Sequence, residues 1–191
     1  MGGASLHLTP RRSALMRVIA GSLKGRKLQA PPPEDFRVRP TADRAREALF
    51  SILGRWPQGP FVDLFAGTGA VGIEAFSRGF GPVVCVEKDS VALRCLEANT
   101  RGTAVAILRQ DALRLGPESF RGQAVLFGDP PYDRAVEAFE RLAQSLRHWI
   151  LPEGLLVWET DRASVLPVAQ GWALIEHRDY GAARFHLLGP T

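Results

Sequence analysis

Apolar and polar residues follow two periods after Pro60. Short continuous apolar runs alternate with stretches in which apolar residues recur three and four positions apart, and these patterns indicate buried strands and amphipathic helices. The predicted strands are Phe61–Phe65, Val83–Val86, Val105–Leu108, Ala124–Phe127 and Leu155–Trp158, and the predicted helices are Ala70–Arg78, Ser90–Asn99 and Asp133–Trp149. Strands that are apolar throughout and alternate with helices favour a parallel sheet covered on both faces. We therefore expect an α/β fold with a doubly wound, mostly parallel sheet.

The last part of the chain departs from this alternation. Trp172–Ile175 and Arg184–Leu188 flank a turn at Gly181 and predict a closing antiparallel hairpin. Residues 1–16 have no periodicity and predict a disordered arm. These patterns divide the chain into the arm, a hairpin-and-helix unit over residues 17–58, and an α/β domain over residues 59–191.

The hairpin-and-helix unit has its own pattern. Arg17–Leu28 alternates apolar and polar residues and predicts a short hairpin, and four prolines within residues 30–40 predict an extended connector. Thr41 is placed to cap a helix over Ala42–Leu53. The predicted apolar face of that helix is Ala45, Ala48, Leu49, Ile52 and Leu53, with Arg44, Arg46 and Glu47 pointing elsewhere.

Charge and cysteine content narrow the class of protein. The net charge is +4, and residues 17–55 hold nine Lys or Arg against four Asp or Glu, so the positive excess is local and suits a polyanion partner. Arginine outnumbers lysine, which favours nucleic acid, although a bias towards arginine codons would give the same count. The two cysteines lie in no metal-binding spacing, so we expect reduced thiols, a cytoplasmic protein and no metal. No apolar run is long enough for a signal peptide or a membrane span.

The turn after the first predicted strand is rich in glycine. Gly67, Gly69 and Gly72 fit the GxGxxG spacing between a strand and a helix, which lets backbone amides approach a ligand. The spacing alone does not separate a dinucleotide from another ligand, or from a tight turn that binds nothing. Asp63 stands four residues before Gly67, where it would repel a pyrophosphate but tolerate a ligand with an amino group and a sulfonium, as in S-adenosylmethionine. Phe65 and Thr68 belong to the same predicted cofactor site.

Acidic residues end the next two predicted strands. Glu87 lies twenty residues after Gly67, the distance at which a carboxylate accepts the hydroxyls of a ribose. Asp111 ends the third strand, where it could bind an adenine amino group. Lys88 and Ala112 adjoin these acids and complete the predicted cofactor site. The alternative for each acid is a solvent-exposed residue at a strand end.

The fourth predicted strand ends in Asp129-Pro130-Pro131-Tyr132. Adjacent prolines make a stiff loop and leave carbonyls without local partners. Hydrogen bonds from an aromatic amine to Asp129 and to the Pro130 carbonyl would direct the nitrogen lone pair at a methyl donor, and Tyr132 would stack on the base. We therefore predict Asp129, Pro130, Pro131 and Tyr132 as catalytic residues, with Asp129 also near the cofactor. The alternative is a turn whose aspartate caps the following helix.

These motifs resemble those of the class I amino-methyltransferases. The strings Gly21–Leu28 and Arg39–Phe50 narrow the resemblance to the bacterial 16S ribosomal RNA (guanine-N2) methyltransferases that modify guanine 966. The resemblance implies S-adenosylmethionine as cofactor and an exocyclic guanine N2 as target, in a small subunit that is at least partly assembled. It also implies that Arg39 and Thr41 lie near the methionine end of the cofactor or the RNA. The predicted RNA-binding residues are Lys24, Arg26, Lys27, Arg39, Thr41 and Arg44.

Three other functions fit parts of this pattern. The same chemistry could act on adenine N6 or cytosine N4 of DNA, although no insertion is long enough for a DNA-recognition domain. An NAD-dependent oxidoreductase would use the glycine turn but leaves the Asp-Pro-Pro-Tyr sequence unexplained. A non-catalytic RNA-binding module would not need Asp63, Glu87 and Asp129 together. We expect a monomer.

Overall fold

The structure is a computed structural model that describes residues 16–31, 43–56 and 58–191. Within these residues the helices are α1 Asp43–Leu53, α2 Ala70–Ser77, α3 Ser90–Thr100 and α4 Ala135–Trp149, with short 3-10 turns at Ala112–Arg114 and Tyr132–Arg134. The strands are β1 Phe61–Asp63, β2 Val83–Glu87, β3 Ala106–Arg109, β4 Gln123–Gly128, β5 Ile150–Asp161, β6 Trp172–Tyr180 and β7 Ala183–Pro190. The predicted α/β fold class is confirmed.

In the described part of the chain the seven strands form one sheet in the order β3-β2-β1-β4-β5-β7-β6. The first five strands are parallel, and β7 lies antiparallel between β5 and β6. The order reverses between β1 and β4, because β1 continues through β2 on one side and β4 through β5 on the other. Such a switch point opens a crevice at the carboxyl ends of the strands.

The two faces of the sheet bury different helices. Helices α1 and α2 pack on one face against side chains such as Phe61, Val125 and Phe185. Helix α4 covers the other face, where Phe139, Leu146 and Trp149 join Trp158 in a second cluster. Because both faces are covered, the parallel strands are apolar throughout rather than alternating, which is why their positions could be predicted.

Strand β5 and the closing hairpin are longer than predicted. Strand β5 continues past Trp158 to Asp161, and its last six residues pair with β7 from Ala183 to Leu188. The polar Glu159-Thr160-Asp161 sequence ended the predicted strand too early. Backbone pairing with β7 supplies the hydrogen bonds that hold these polar residues in the sheet, and such long-range pairing is invisible to a local pattern.

The predicted N-terminal hairpin is confirmed for its described residues. Arg17 and Lys27 form an antiparallel bridge, and the Val18 amide donates to the Arg26 carbonyl at 2.9 Å. Its apolar residues Met16, Val18 and Leu28 pack on the start of α2. The hairpin therefore lies beside the turn that precedes α2.

One prediction about α1 was wrong. Arg46 was expected to point away from the core, but its side chain is fully buried. It donates to the Arg17 carbonyl and to Asp43, and its Nε lies 3.8 Å from a carboxylate oxygen of the buried Glu74. Arg46 is buried next to an acid on another helix. The pattern of apolar residues along one helix cannot predict such a burial, because it does not show which charges folding brings together.

Candidate active site

One cleft of 830 Å³ opens at the carboxyl edge of the sheet, at the switch point between β1 and β4. Its walls come from the segments that follow β1, β2, β3 and β4, together with the end of β5 and the turn between β6 and β7. Predicted site residues that line it are Asp63, Phe65, Gly67, Thr68, Glu87, Lys88, Asp111, Ala112, Asp129, Pro130, Pro131 and Tyr132. All predicted catalytic residues and nearly all predicted cofactor residues thus share one cavity.

Gly69 is the predicted cofactor residue that the cleft lining does not include. It precedes α2 with a φ of 82°, a conformation that favours glycine, and a Cβ there would lie 2.3 Å from Leu96 Cδ1. A Cβ on Gly72 would lie 2.3 Å from Cys85 Sγ. These two glycines allow the turn and the close packing of α2 on the sheet, whereas Gly67 faces the cleft.

Asp63 ends β1 at the bottom of the cleft and is 1% exposed. Its Oδ2 accepts the Gly72 amide at 3.1 Å, and its Oδ1 has no hydrogen-bond partner. Burial, with the nearby charges of Asp129 and Glu87, raises the pKa of Asp63 to about 8. An unpartnered buried carboxyl oxygen on a cavity wall suits a cationic or N–H-bearing ligand.

Glu87 ends β2, and backbone amides already occupy much of its carboxylate. Oε2 accepts the Gly67 amide at 2.7 Å, while Oε1 accepts the amides of Lys88 and Asp89, each at 2.7 Å. A carboxylate has about four acceptor positions, so three of them are in use. This carboxylate ties the glycine turn to β2 in addition to any contact with a ligand.

Asp111 and Lys88 form the outer wall beyond β3. Lys88 Nζ lies 3.0 Å from Asp111 Oδ2, and Asp111 also accepts the Leu113 amide. Slight burial raises the pKa of Asp111, but the hydrogen bonds from Lys88 and Leu113 outweigh it and leave the pKa below its usual value. Asp111 is therefore ionised and available as a hydrogen-bond acceptor at neutral pH.

The Asp-Pro-Pro-Tyr loop, residues 129–132, follows β4 and lines the same cleft as the glycine turn. Pro130 is buried and Pro131 exposed. The Pro131 carbonyl accepts the Arg134 amide at 2.9 Å and begins the 3-10 turn that leads into α4. The Tyr132 hydroxyl donates to Glu159 Oε1 at 2.9 Å, which fixes the ring at the cleft wall.

Two parts of the site were missed by the sequence reasoning. Glu159 on β5 lines the cleft beside Asp129, and the turn from Tyr180 to Ala183 forms the far rim. Glu159 is 4% exposed, and burial and the charge of Asp129 raise its pKa to about 8 despite the Tyr132 hydrogen bond. An acid directly after an apolar run, as Glu87 follows Val83–Val86, was the signal that could have found Glu159.

The four predicted RNA-binding residues that the structure describes do not line the cleft. Lys24 and Lys27 are exposed at the hairpin, Arg44 is exposed on α1, and Arg26 is half-buried because its guanidinium donates to the Arg101 carbonyl. Arg39 and Thr41 lie outside the described residues. The hairpin nevertheless touches the glycine turn, since the Thr68 hydroxyl contacts Met16 Sδ at 3.7 Å.

Neither a membrane span nor a metal cluster is found where the chain is described. No helix there is long and apolar enough to cross a bilayer. No group of three or more His, Cys, Asp or Glu side chains in the same residues is arranged to hold a metal ion. The two cysteines, Cys85 and Cys95, are buried and form no disulfide bond.

A glycine turn after β1 is common to many nucleotide-binding proteins, but here it shares its cleft with an Asp-Pro-Pro-Tyr loop. Relatives named as ribosomal RNA methyltransferases match nearly the whole chain, and the protein is a methyltransferase with a Rossmann-like fold. A family model described as Conserved hypothetical protein 95 matches residues 16–189, and the chain belongs to this family.

Named relatives and solved structures agree with this placement. Proteins named Ribosomal RNA small subunit methyltransferase D are 30% identical in Haemophilus influenzae, over 94% of this chain and 96% of the relative, and in Escherichia coli K12, over 92% and 90%. A solved protein of Thermus thermophilus is 30% identical with a TM-score of 0.73, covering 90% of this chain and 97% of its own. An S-adenosylmethionine-dependent methyltransferase of Clostridium acetobutylicum shares the fold at 8% identity, with a TM-score of 0.62 over 82% of this chain and 95% of its own.

Proposed function

We propose that this protein transfers the methyl group of S-adenosylmethionine to the exocyclic N2 of a guanine in small-subunit ribosomal RNA. The observation that carries the proposal is the shared cleft, which both the glycine turn and the Asp-Pro-Pro-Tyr loop line at the switch point between β1 and β4. The names of relatives that match nearly the whole chain support 16S ribosomal RNA as the substrate.

The residues of the cleft suit the proposed cofactor. The buried, unpartnered Oδ1 of Asp63 would accept a hydrogen bond from the ammonium group of S-adenosylmethionine. This bound cation would lower the raised pKa of Asp63. Glu87 would accept ribose hydroxyls, and binding both would displace one of its backbone amides. Asp111 would accept the adenine amino group. The bound cofactor supplies an activated methyl group on a sulfonium, a good leaving group.

The Asp-Pro-Pro-Tyr loop would hold the base. One N–H of the guanine amine would donate to Asp129 and the other to the Pro130 carbonyl, while the Pro131 carbonyl is already engaged by Arg134. Two such hydrogen bonds favour a tetrahedral nitrogen with its lone pair directed at the methyl group. Tyr132, held by Glu159, would stack on the base, which must leave its helix to reach the cleft.

The surroundings of the cleft fit an RNA partner. Lys24 and Lys27 are exposed on the hairpin that touches the glycine turn, so phosphates bound there would lie next to the cofactor end of the cleft. We propose that the substrate is an assembled or partly assembled small subunit, bound by a cytoplasmic monomer that uses no metal. The division into an arm, an RNA-facing unit over residues 17–58 and a catalytic domain over residues 59–191 belongs to the same proposal.

Calorimetric titration of the purified protein with S-adenosylmethionine and with NAD tests the cofactor. We expect binding of S-adenosylmethionine and none of NAD. Tight binding of NAD without S-adenosylmethionine would refute the proposal and favour the oxidoreductase.

The transferred group and its target are tested with radiolabelled methyl donor and small subunits from a strain that lacks this activity. We expect N2-methylguanosine in the digested ribosomal RNA, and we expect Asp129→Ala to abolish transfer while it still binds S-adenosylmethionine. Label in adenosine or cytidine, or transfer only to DNA, would favour the other amino-methyltransferases.

A further inference from the structure

Glu159 and Asp129 occupy equivalent positions on neighbouring parallel strands, Asp129 directly after β4 and Glu159 two residues before the end of β5. Gly128 of β4 pairs with Trp158 of β5, so the residue after each lies at the same edge of the sheet. Both line the cleft, and Asp129 is close enough for its charge to raise the pKa of Glu159. Two acceptors therefore stand side by side where the proposed function puts the edge of a base.

The two oxygens of Glu159 have different surroundings. Oε1 accepts the Tyr132 hydroxyl at 2.9 Å, whereas Oε2 is buried without a hydrogen-bond partner. Leaving a buried carboxyl oxygen unpaired is costly, and native proteins rarely do so without a functional reason. Since Glu159 lies on the cleft wall, a ligand that brings an N–H group would remove this cost. It would also favour the ionised carboxylate, and so lower the pKa that burial and Asp129 raise to about 8.

We infer that Glu159 determines the choice of base, because its Oε2 accepts the ring N1–H of guanine while Asp129 accepts from the neighbouring amine. This inference rests on the proposed function. Guanine presents two adjacent donors on this edge, N1–H and the N2 amine. Adenine and cytosine place a ring nitrogen lone pair beside the amine, and that lone pair would face a carboxylate oxygen. Discrimination by an unpaired polar group is large because the mismatch is buried.

The hydrogen bond from Tyr132 makes a Glu159→Gln change informative. The hydroxyl would keep the side-chain oxygen of the glutamine as its acceptor, so the amide NH2 would take the place of Oε2. A donor would then face the N1–H of guanine, which is repulsive, but would suit a purine whose N1 is an acceptor. The change should shift the base preference and not merely lower activity.

The experiment uses the full-length protein and small subunits reconstituted with RNA that carries guanine or 2-aminopurine at the methylated position. 2-Aminopurine keeps the N2 amine but has no N1–H. We expect the wild-type protein to prefer guanine in kcat/KM by about 100-fold or more, as for sites built around a substrate N–H. Glu159→Gln should reduce this preference at least about tenfold, with S-adenosylmethionine affinity unchanged.

Glu153→Gln is the matched control, because Glu153 lies on the same strand but is exposed. It should keep the wild-type preference. The ratio of the two substrates does not depend on how much of a variant is folded. A wild-type preference near unity, or an unaltered preference in Glu159→Gln, would overturn the inference while guanine methylation stands. Failure of the wild-type protein to methylate guanine would instead overturn the proposed function.

Discussion

At the residue scale, two buried acids make the cleft sensitive to pH. The pKa of Asp63 and that of Glu159 are both raised to about 8, chiefly by burial. In the unfolded chain these acids lose their protons near pH 4. The folded protein therefore holds more protons than the unfolded chain between these values, so raising the pH across this window lowers the free energy of unfolding.

We predict that the ligand-free protein loses stability between pH 6.5 and pH 8, by at most about 1.4 kcal/mol per pH unit for each acid. Glu159→Gln should lower this slope, whereas Glu153→Gln should not. Urea unfolding at several pH values measures the slope. Burial also lowers the pKa of His186 to about 4. Titration of His186 therefore makes stability rise with pH, but it does so below pH 6.5, outside the range used here. Equal slopes in all three proteins would contradict the assignment.

A substitution at Gly72 tests whether this glycine of the GxGxxG sequence serves helix packing or cofactor binding. We predict that Gly72→Ala destabilises the ligand-free protein by about 1 to 3 kcal/mol, because the added Cβ would lie 2.3 Å from Cys85 Sγ. Gly54→Ala is the control, since a Cβ there makes only ordinary contacts, the nearest at 3.5 Å. Chemical denaturation measures both. A stable Gly72→Ala protein that fails to bind S-adenosylmethionine would instead give this glycine a direct part in binding.

Much of the site could be predicted from the sequence, because its residues stand at fixed offsets from strand ends. Asp63, Glu87 and Asp129 each follow an apolar run, and the parallel sheet brings such ends together. Glu159 was missed because no motif surrounds it and because β5 was expected to end at Trp158, three residues before its observed end at Asp161. Arg46 was missed because its partner, Glu74, is brought to it only by folding.

At the scale of elements, Glu74 on α2 joins three segments of the chain. It is fully buried, accepts the amides of Ile19 and Ala20 at 2.7 and 3.0 Å, and binds Arg78 Nε at 2.7 Å. The buried Arg46 of α1 lies 3.8 Å away. The carboxylate of Glu74 thus holds the N-terminal hairpin on α2. The sequence pattern of α2 predicts a helix but not this contact.

We predict that Glu74→Ala destabilises the protein by about 3 to 5 kcal/mol. The buried Arg46 would keep only the half-exposed Asp43 as a charge partner, and the amides of Ile19 and Ala20 would lose their acceptor. The amides of Ile19 and Ala20 should exchange hydrogen faster, as measured by mass spectrometry. Glu97→Ala is the control, since its pair with Arg109 is exposed and such pairs contribute about 1 kcal/mol or less. Equal losses in the two variants would show that Glu74 does not anchor the hairpin.

At the scale of the whole molecule, two described residues of the basic window over residues 17–55 add less positive surface than the sequence implies. Arg46 counts towards the basic window but is buried and paired, and Arg26 is tied to Arg101. Arg17, Lys24 and Lys27 are exposed on the hairpin, Arg44 on α1 and Arg55 just after α1. Lys24, Lys27 and Arg44 are the predicted RNA-binding residues among them, and we expect these three to meet phosphates.

We predict that Lys24→Ala and Lys27→Ala each weaken binding to small-subunit RNA. Each change should reduce the slope of log affinity against log salt by about 0.7 to 0.9, with the largest loss of affinity at low salt. Filter binding across a salt series measures this. Arg121→Ala is the control, because Arg121 is exposed just before β4, at the opposite edge of the sheet from the cleft. A similar effect of all three changes would indicate general attraction by charge and not a defined footprint.

The turn from Tyr180 to Ala183 closes the rim of the cleft but belongs to the antiparallel extension, outside the parallel strands that carry the proposed catalytic loop. Insertions at this turn would leave the glycine turn and the Asp-Pro-Pro-Tyr loop in place. The architecture therefore offers a modular route by which evolution or design could reshape the entrance for a different RNA without rebuilding the chemistry beneath it.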